Sequence, residues 1–386
     1  MDINKIRKEY ELIDLFCNLA EIPSPSLGEE KVAFWIKKYC DDNKMICEFD
    51  DYQNVYIEIP ATDSEKQSLL LSAHMDVIGD ASEVVTYLDG DLIRAKGRTL
   101  GADDKAGIAS ALLLAKNIQN SDFSHGGIEL VFTRDEESGM SGIRHVNFSK
   151  INSKYILVCD SDSLGQLEVS GASYTQVKIE VNSFKGGHSG IDIADTTREN
   201  AAKLIADIVS DLPQGVYHSQ DGSVITSCNL GGIISGDVAV TNIINTNAKA
   251  SYSIRSADKA LEEELKSKMS VVISDFNKQY AGVAQASIVF EQHLPAFEKV
   301  DDDFIPTIFE KVAKVVGVKE DISSFHAGAE THIYANQKNS NGEGFAPYLI
   351  GLADICNMHS REENVDYKSM LKGYELLQEF FKAYNS

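Results

Sequence analysis

"GIELVFTRDEESG", residues 127–139, sets an apolar run against three successive acids, Asp135, Glu136 and Glu137. A short run of Ile, Leu, Val and Phe behind a glycine reads as a buried strand. Acids this close raise one another's pKa, so the cluster is either a solvated turn or the seat of something positive. Two further runs repeat the pattern: "SLLLSAHMDV" (68–77) leads to His74 and Asp76, and "KYILVCDSD" (154–162) to Asp160 and Asp162. Helical spacings at Ile6–Ala20, Glu29–Asp41 and Ala106–Gln119 alternate with these strands. That alternation predicts an α/β domain with some parallel pairing.

The texture changes near residue 173. "YTQVKIEVNSF", "SVITSCNLGGII", "NTNAKASYSIRS" and "QASIVFEQ" read as strands, with helices at Arg198–Leu212 and Asp258–Tyr280. This predicts a smaller α+β domain over 173–295, a mostly antiparallel sheet with two helices on one face. After Pro295 the first texture returns, with a helix at Phe304–Val316, the strand "PYLIGL" and a helix at Ser369–Tyr384. The large α/β domain is therefore expected over 1–172 and 296–386, with the small one inserted into it.

Bulk properties narrow the function classes. The chain has 386 residues, enough for two domains, and a formal charge of -23, which repels phosphate backbones and anionic lipid. Nucleic acid and a membrane surface are thus excluded as expected partners, and cations are favoured. No apolar run reaches the roughly eighteen residues of a membrane span. The amino-terminal stretch lacks the apolar core of a secretion signal, and the expected location is the cytoplasm. Six cysteines lie far apart with no C-x-x-C pair, which reads as reduced, buried thiols. No glycine-rich phosphate loop follows the first strand.

In open α/β sheets the working groups lie beyond the carboxyl ends of the strands. There the sequence supplies His74, Asp76, Glu136, Glu137, Asp160 and Asp162; "LGADDKAG" adds Asp103 and Asp104, and "NMHSREEN" adds His359. Singly, each motif has an ordinary reading: a hydrogen-bonded His-x-Asp pair, a helix cap, a solvated turn or a surface loop. Together they offer imidazole and carboxylate donors without thiol, a set suited to zinc, manganese or cobalt. The donors are too many for one catalytic zinc with its water, and suit two ions about 3.5–4 Å apart that share a carboxylate.

"SAHMDV", "LGADDKAG", "TRDEESG", "VCDSD" and "NMHSREENV", in this order, together with "IPSPSLGEE" (22–30), resemble the dinuclear zinc exopeptidases and amidohydrolases, and within them the peptidase T branch of tripeptide aminopeptidases. The resemblance runs over essentially the whole chain and implies a phosphorylase/hydrolase-like α/β catalytic domain. It implies that His74, Asp103, Glu137, Asp160 and His359 hold two divalent ions, with Asp103 bridging. Asp76 would orient His74. Glu136 would be the general base toward a metal-bridged hydroxide that attacks the amino-terminal peptide bond. The Asp-x-Lys pattern selects Asp103 over Asp104, and Asp135 is left as a surface or loop acid.

For the inserted domain the resemblance implies a lid that can also form a homodimer. His188 in "FKGGHSG" would stabilise the scissile carbonyl's oxygen, although serine stands where the family has proline. Arg255 would grip a substrate carboxylate, with Asn242 pointing to the same place. His326 and Glu330 in "FHAGAETH" would contact a substrate amino group. The segments 190–200 and 323–346 depart from the branch, which puts tripeptide length preference in question. A deacylase of N-acyl amino acids, or a metal-binding member without turnover, are the alternatives.

Overall fold

The structure, a computed structural model, describes residues 2–220 and 223–386. Its chain divides into two compact units. One takes the chain up to Val169, then Lys299–Ser323 and Ala329–Ser386; the other takes Ser170–Glu298 and Ser324–Gly328. The sequence boundaries differ by a few residues, and the short piece carrying His326 belongs to the second unit rather than the first.

The first unit is built on an eight-stranded sheet. At its centre Ile128–Thr133, Leu69–His74, Tyr155–Ser161 and Ala346–Gly351 run parallel side by side. Val55–Ile59 and then Ile46–Phe49 extend one side antiparallel, and Gln166–Gly171 followed by Asp321–Phe325 extends the other. Leu69–His74 and Ala346–Gly351 are buried at every position, because a parallel strand covered on both faces has no wet side. Leu69 is in register with both Ile128 and Tyr155, so the carboxyl ends of the three strands finish together.

The helix Ala102–Gln119 lies on Leu69–His74 and Tyr155–Ser161 and touches the helices Glu11–Ala20 and Tyr367–Tyr384. Fifteen of its residues are buried and only its last turn reaches solvent, so it has little amphipathic character. It starts before the expected Ala106, but Asp103 (φ -81, ψ 106) and Asp104 (φ -115, ψ 34) leave the helical conformation, and the peptide between them is cis. Regular helix resumes only after this break. The expected helix Ile6–Ala20 is two helices, Ile3–Glu9 and Glu11–Ala20, parted where Tyr10 turns extended (φ -126, ψ 113).

A small four-stranded sheet in the same unit places the last motif. Ile355–Cys356 and Asn364–Asp366 form a hairpin whose second strand pairs with Leu92–Ala95, itself paired with Thr86–Asp89. His359 sits in the hairpin loop with φ 60, the left-handed region that non-glycine residues seldom occupy. Asp366 then caps the helix Tyr367–Tyr384, accepting the N–H of Lys368 at 2.8 Å and of Ser369 at 3.3 Å.

The second unit has a five-stranded antiparallel sheet in the order Gly215–Gln220, Ser223–Ile234, Asn247–Ser256, Tyr174–Ser183, Ala284–Leu294. Its strands alternate. Val177, Ile179 and Val181 face inward with Ala248, Ala250, Tyr252 and Ile254, against Leu204, Ile205 and Ile208 of the helix Ala201–Asp211 and Leu265, Met269 and Ile273 of the helix Lys259–Gln279. The fold is thus an α/β domain with a mixed sheet and a smaller inserted domain. Among the described residues no helix is long and apolar enough to cross a membrane. All six cysteines are free; five are buried, but Cys356, expected inside, is exposed.

One buried acid makes stability depend on pH. Glu168 is enclosed, its Oε2 has no hydrogen-bond partner, and burial, helped by the charges of Asp162 and Asp321, pushes its pKa up to about 8. The folded chain therefore holds this proton more tightly than the unfolded chain, whose glutamate titrates near about 4.3. The stabilisation is complete below that pH and is lost as pH rises toward 8. Glu168→Gln is expected to raise stability at pH 8 by on the order of 1–3 kcal/mol and to change it little at acid pH. Thermal unfolding across that range checks this; a variant with the wild-type pH profile would remove Glu168 as its source.

Candidate metal centre

His74 ends its strand with the ring buried. Nδ1 lies 2.9 Å from the backbone oxygen of Asp76. A carbonyl only accepts, so Nδ1 carries a proton and the Nε2 lone pair is left for a second proton or a cation. That lone pair faces Asp103 Oδ1 at 2.9 Å and Asp160 Oδ1 at 3.5 Å. Such an arrangement is repulsive unless a proton or a cation stands among the three atoms. The other oxygen of Asp103 faces a second group: His359 Nε2 is 3.1 Å from Asp103 Oδ2 and 3.0 Å from Glu137 Oε2. Within each triad, His74–Asp103–Asp160 and Asp103–Glu137–His359, donor atoms lie within 4.8 Å of one another.

The acidic turn is anchored from two sides. Asp76, fully buried, accepts the N–H of Glu136 at 2.9 Å, the N–H of Glu137 at 3.2 Å and the hydroxyl of Ser26 at 2.7 Å. Its carboxylate is 3.4 Å from His74 Nδ1, farther than its own backbone oxygen. Asp76 thus orients His74 chiefly through its carbonyl, while its side chain fixes the turn that carries Glu136 and Glu137. From the other side Glu29 accepts Arg134 Nε at 2.6 Å and the N–H of Asp135 at 3.0 Å. Asp135 is buried with φ 53 and accepts from the Ser141 hydroxyl, so the acid expected at the surface is an internal part of the turn.

The charges in this centre are unequal in their hold on protons. Burial, the largest influence, raises Glu137 to about 7 and Asp160 to about 6, with neighbouring carboxylates adding to it. Glu136 is raised well above the usual range by burial and by the charges of Asp160, Glu330 and Glu137, against the opposing charge of His74. Asp103 is held low despite burial by its bonds to His359 and His74. His359 is raised to about 9, first by its bond to Asp103, and His74 is raised against burial by Asp160 and Asp103. Lys105 turns away, donating Nζ to the Ile22 carbonyl at 2.6 Å. The chain alone thus balances its crowded acids with protons, a balance that two dications would supply instead. Two imidazoles and three carboxylates without thiol fit zinc, manganese or cobalt, and Asp103 with one oxygen toward each triad fits a bridging ligand.

The remaining candidates fall in several places. Glu330, in the first unit, is enclosed at 1% exposure, with Ser72 Oγ 3.4 Å from its Oε2 and no hydrogen-bond partner for Oε1, and burial raises it to about 8. In the second unit His188 is exposed on the short strand Gly187–His188, which pairs with Ile243–Ile244. The Asn242 carbonyl accepts the N–H of Ser189 at 3.0 Å, so His188 and Asn242 are neighbours. Arg255 stacks over Tyr174 at 4.8 Å and leaves Nη1 without a hydrogen-bond partner. It pairs across the sheet with Ser227, whose hydroxyl is 2.9 Å from His326 Nε2. Burial and the charge of Arg255 lower the pKa of His326, which keeps that ring neutral.

Sequence reasoning passed over Glu363. It lies in "SREEN", which reads as a solvated loop, yet it is 1% exposed and accepts backbone N–H groups from the segment 100–103. Bonds to backbone amides leave no mark in side-chain spacing, so no motif signals them.

An α/β domain that gathers two carboxylate–imidazole triads at its strand ends and carries an inserted domain defines a dinuclear-metal hydrolase. The model of peptidase family M20/M25/M40 matches residues 70–383, and the chain belongs to that family. Among its relatives the uncharacterized protein YqjE of Bacillus subtilis (strain 168) is 24% identical over 380 residues, covering 96% of this chain and 97% of that protein. Peptidase T of Geobacillus sp. (strain WCH70) is 25% identical over 320 residues, 79% of this chain and 70% of its own length. Of solved structures, the aminopeptidase PepT from Bacillus cereus superposes with a TM-score of 0.86 at 22% identity, covering 97% of this chain and 98% of that one. A tripeptidase from Staphylococcus aureus gives 0.83 at 22% identity, with 97% of each chain covered. These likenesses establish a shared fold over nearly the full length.

Proposed function

We propose that the chain is a zinc-dependent exopeptidase of the peptidase T branch, hydrolysing the amino-terminal peptide bond of short peptides. The observation that carries this reading is the division of Asp103, one oxygen toward His74 and the other toward His359. The names of the similar proteins, peptidase T, aminopeptidase PepT and a tripeptidase, support the choice of substrate class. His74, Asp103 and Asp160 would hold one ion, and Asp103, Glu137 and His359 the other.

Two bound divalent cations supply Lewis acidity toward the peptide carbonyl and lower the pKa of water to about 7. Glu136, anchored through its N–H to Asp76 and outside both triads, takes the proton of the attacking water and delivers it to the leaving amine. Burial raises its pKa, which strengthens its hold on the proton between the two transfers. Asp76 keeps the His74 proton on Nδ1 and so keeps Nε2 available.

The family resemblance assigns His188 to the scissile carbonyl oxygen and Arg255, with Asn242, to the substrate carboxylate. The free Nη1 of Arg255 and its aromatic support are the properties such a clamp needs. His326, its pKa lowered by burial and by Arg255, would be a contact to the substrate amino group. Glu330 is the candidate for the substrate amino group, but it is enclosed and burial raises its pKa to about 8, so its charge does not decide between peptidase and deacylase and experiment must. The first unit would be the catalytic domain and the second a lid that also forms a homodimer. Five buried free thiols favour the cytoplasm.

Metal analysis of the purified protein, with turnover of a free tripeptide and its N-acetylated form, tests the proposal. Two equivalents of divalent metal, lost together with activity on chelation, and preference for the free peptide are expected. Preference for the blocked form would make the chain a deacylase; two ions without turnover would make it a binding member of the family.

A further inference from the structure

The segment that brings Asp103 to the centre has an unusual support. Glu363 Oε2 accepts the N–H of Leu100 at 2.9 Å and of Gly101 at 3.0 Å, while Oε1 accepts that of Ala102 at 2.8 Å and, more weakly, that of Asp103 at 3.4 Å. Gly101 is left-handed (φ 77) and the backbone breaks from helix at Asp103 and Asp104. These amides open a helix and have no carbonyl a turn earlier to bond to, so a single carboxylate satisfies them together. Charge-assisted bonds to N–H groups at a helix start are the strong kind.

The same residue belongs to the His359 hairpin. Glu363 directly precedes Asn364, which pairs with Cys356 and with Arg94. The His359 side chain is half exposed and its backbone is left-handed, so little but the hairpin and the bonds of its own ring to Asp103 and Glu137 defines its position. Two chain segments remote in sequence therefore meet at one buried carboxylate, and each carries a donor of the triad Asp103–Glu137–His359. The other triad shares only Asp103 with this linkage.

We propose that Glu363 is a positioning residue that sets the spacing between Asp103 and His359 and thereby selectively stabilises ion binding at the Asp103–Glu137–His359 triad. The inference rests on the two-ion reading of the centre. A group that served only to cap the helix would affect folding stability and leave both ion affinities alone.

The test is a cobalt(II) titration of the metal-stripped full chain, followed by visible absorbance, for wild type, Glu363→Gln and Glu363→Asp. Asp258→Ala, which removes the cap of the helix Lys259–Gln279 (the Leu261 N–H donates to Asp258 Oδ1, 2.9 Å), controls for loss of a helix cap. In both Glu363 variants the first equivalent is expected to bind as in wild type, while the second binds about 10–100-fold more weakly with an altered spectrum. Asp258→Ala should keep both. Two normal equivalents in the Glu363 variants with a lowered Tm would reduce Glu363 to a cap, and equal weakening of both ions would overturn the selectivity. If neither variant yields folded chain, the carboxylate is a determinant of folding and the assignment falls. A wild-type chain that takes up fewer than two ions would defeat the two-ion reading itself, an outcome separate from the others.

Discussion

Glu136→Gln is expected to lower kcat on a free tripeptide by about 10²–10⁴-fold, the contribution of a positioned base, while the protein still binds two divalent ions. Glutamine keeps the shape of the side chain, and the backbone N–H that anchors it to Asp76 at 2.9 Å is unchanged. Neither triad includes Glu136, so the variant keeps every ligand of both ions and loses only a neighbouring charge. What is removed is a carboxylate whose burial makes it an unusually avid proton acceptor. Metal content and single-turnover rates measured on one preparation decide the matter: normal turnover with full metal would transfer the base to another group.

Asp103→Asn is expected to have a broader effect. Both oxygens of Asp103 are engaged, one 2.9 Å from His74 Nε2 and the other 3.1 Å from His359 Nε2. Asparagine would offer an oxygen to one triad and an amide N–H₂ to the other, which cannot ligate. Affinity at both positions should fall by more than the roughly 10–100-fold typical of losing an outer partner, and turnover should drop to background. Isothermal titration with zinc checks this. Retention of two tightly bound ions would show that the triads do not share a ligand, and the mechanism would have to be rebuilt on two independent sites.

Much of this was legible in the chain because the physics is local. Leu69–His74, Ile128–Thr133 and Tyr155–Ser161 are apolar runs that stop at polar residues, and register between parallel strands brings those stops together. The alternating burial of Tyr174–Ser183 is equally local and separates the antiparallel unit from the parallel one. The preference for Asp103 over Asp104 came from the family pattern, since two adjacent aspartates look alike in sequence.

What escaped reading depends on long-range or backbone contacts. Asp135 is internal because Glu29 and Ser141 come to it, and Glu330 is enclosed against Ser72; spacing along the chain encodes neither event. Tyr10 interrupts a helical pattern with no glycine or proline to announce the break. Glu363 was invisible for the same reason that makes it interesting, because its partners are peptide groups that every residue possesses.

The inserted unit, Ser170–Glu298, separates Asp160 from His359 along the chain. During synthesis, then, His74, Asp103, Glu137 and Asp160 emerge first, and the second imidazole follows only after the whole insertion has been translated. On the two-ion reading, a nascent or prematurely terminated product would present at most the earlier ion position. Hydrolytic competence would thus begin late in translation, once the hairpin around His359 has docked, so incomplete chains would not be left as active peptidases.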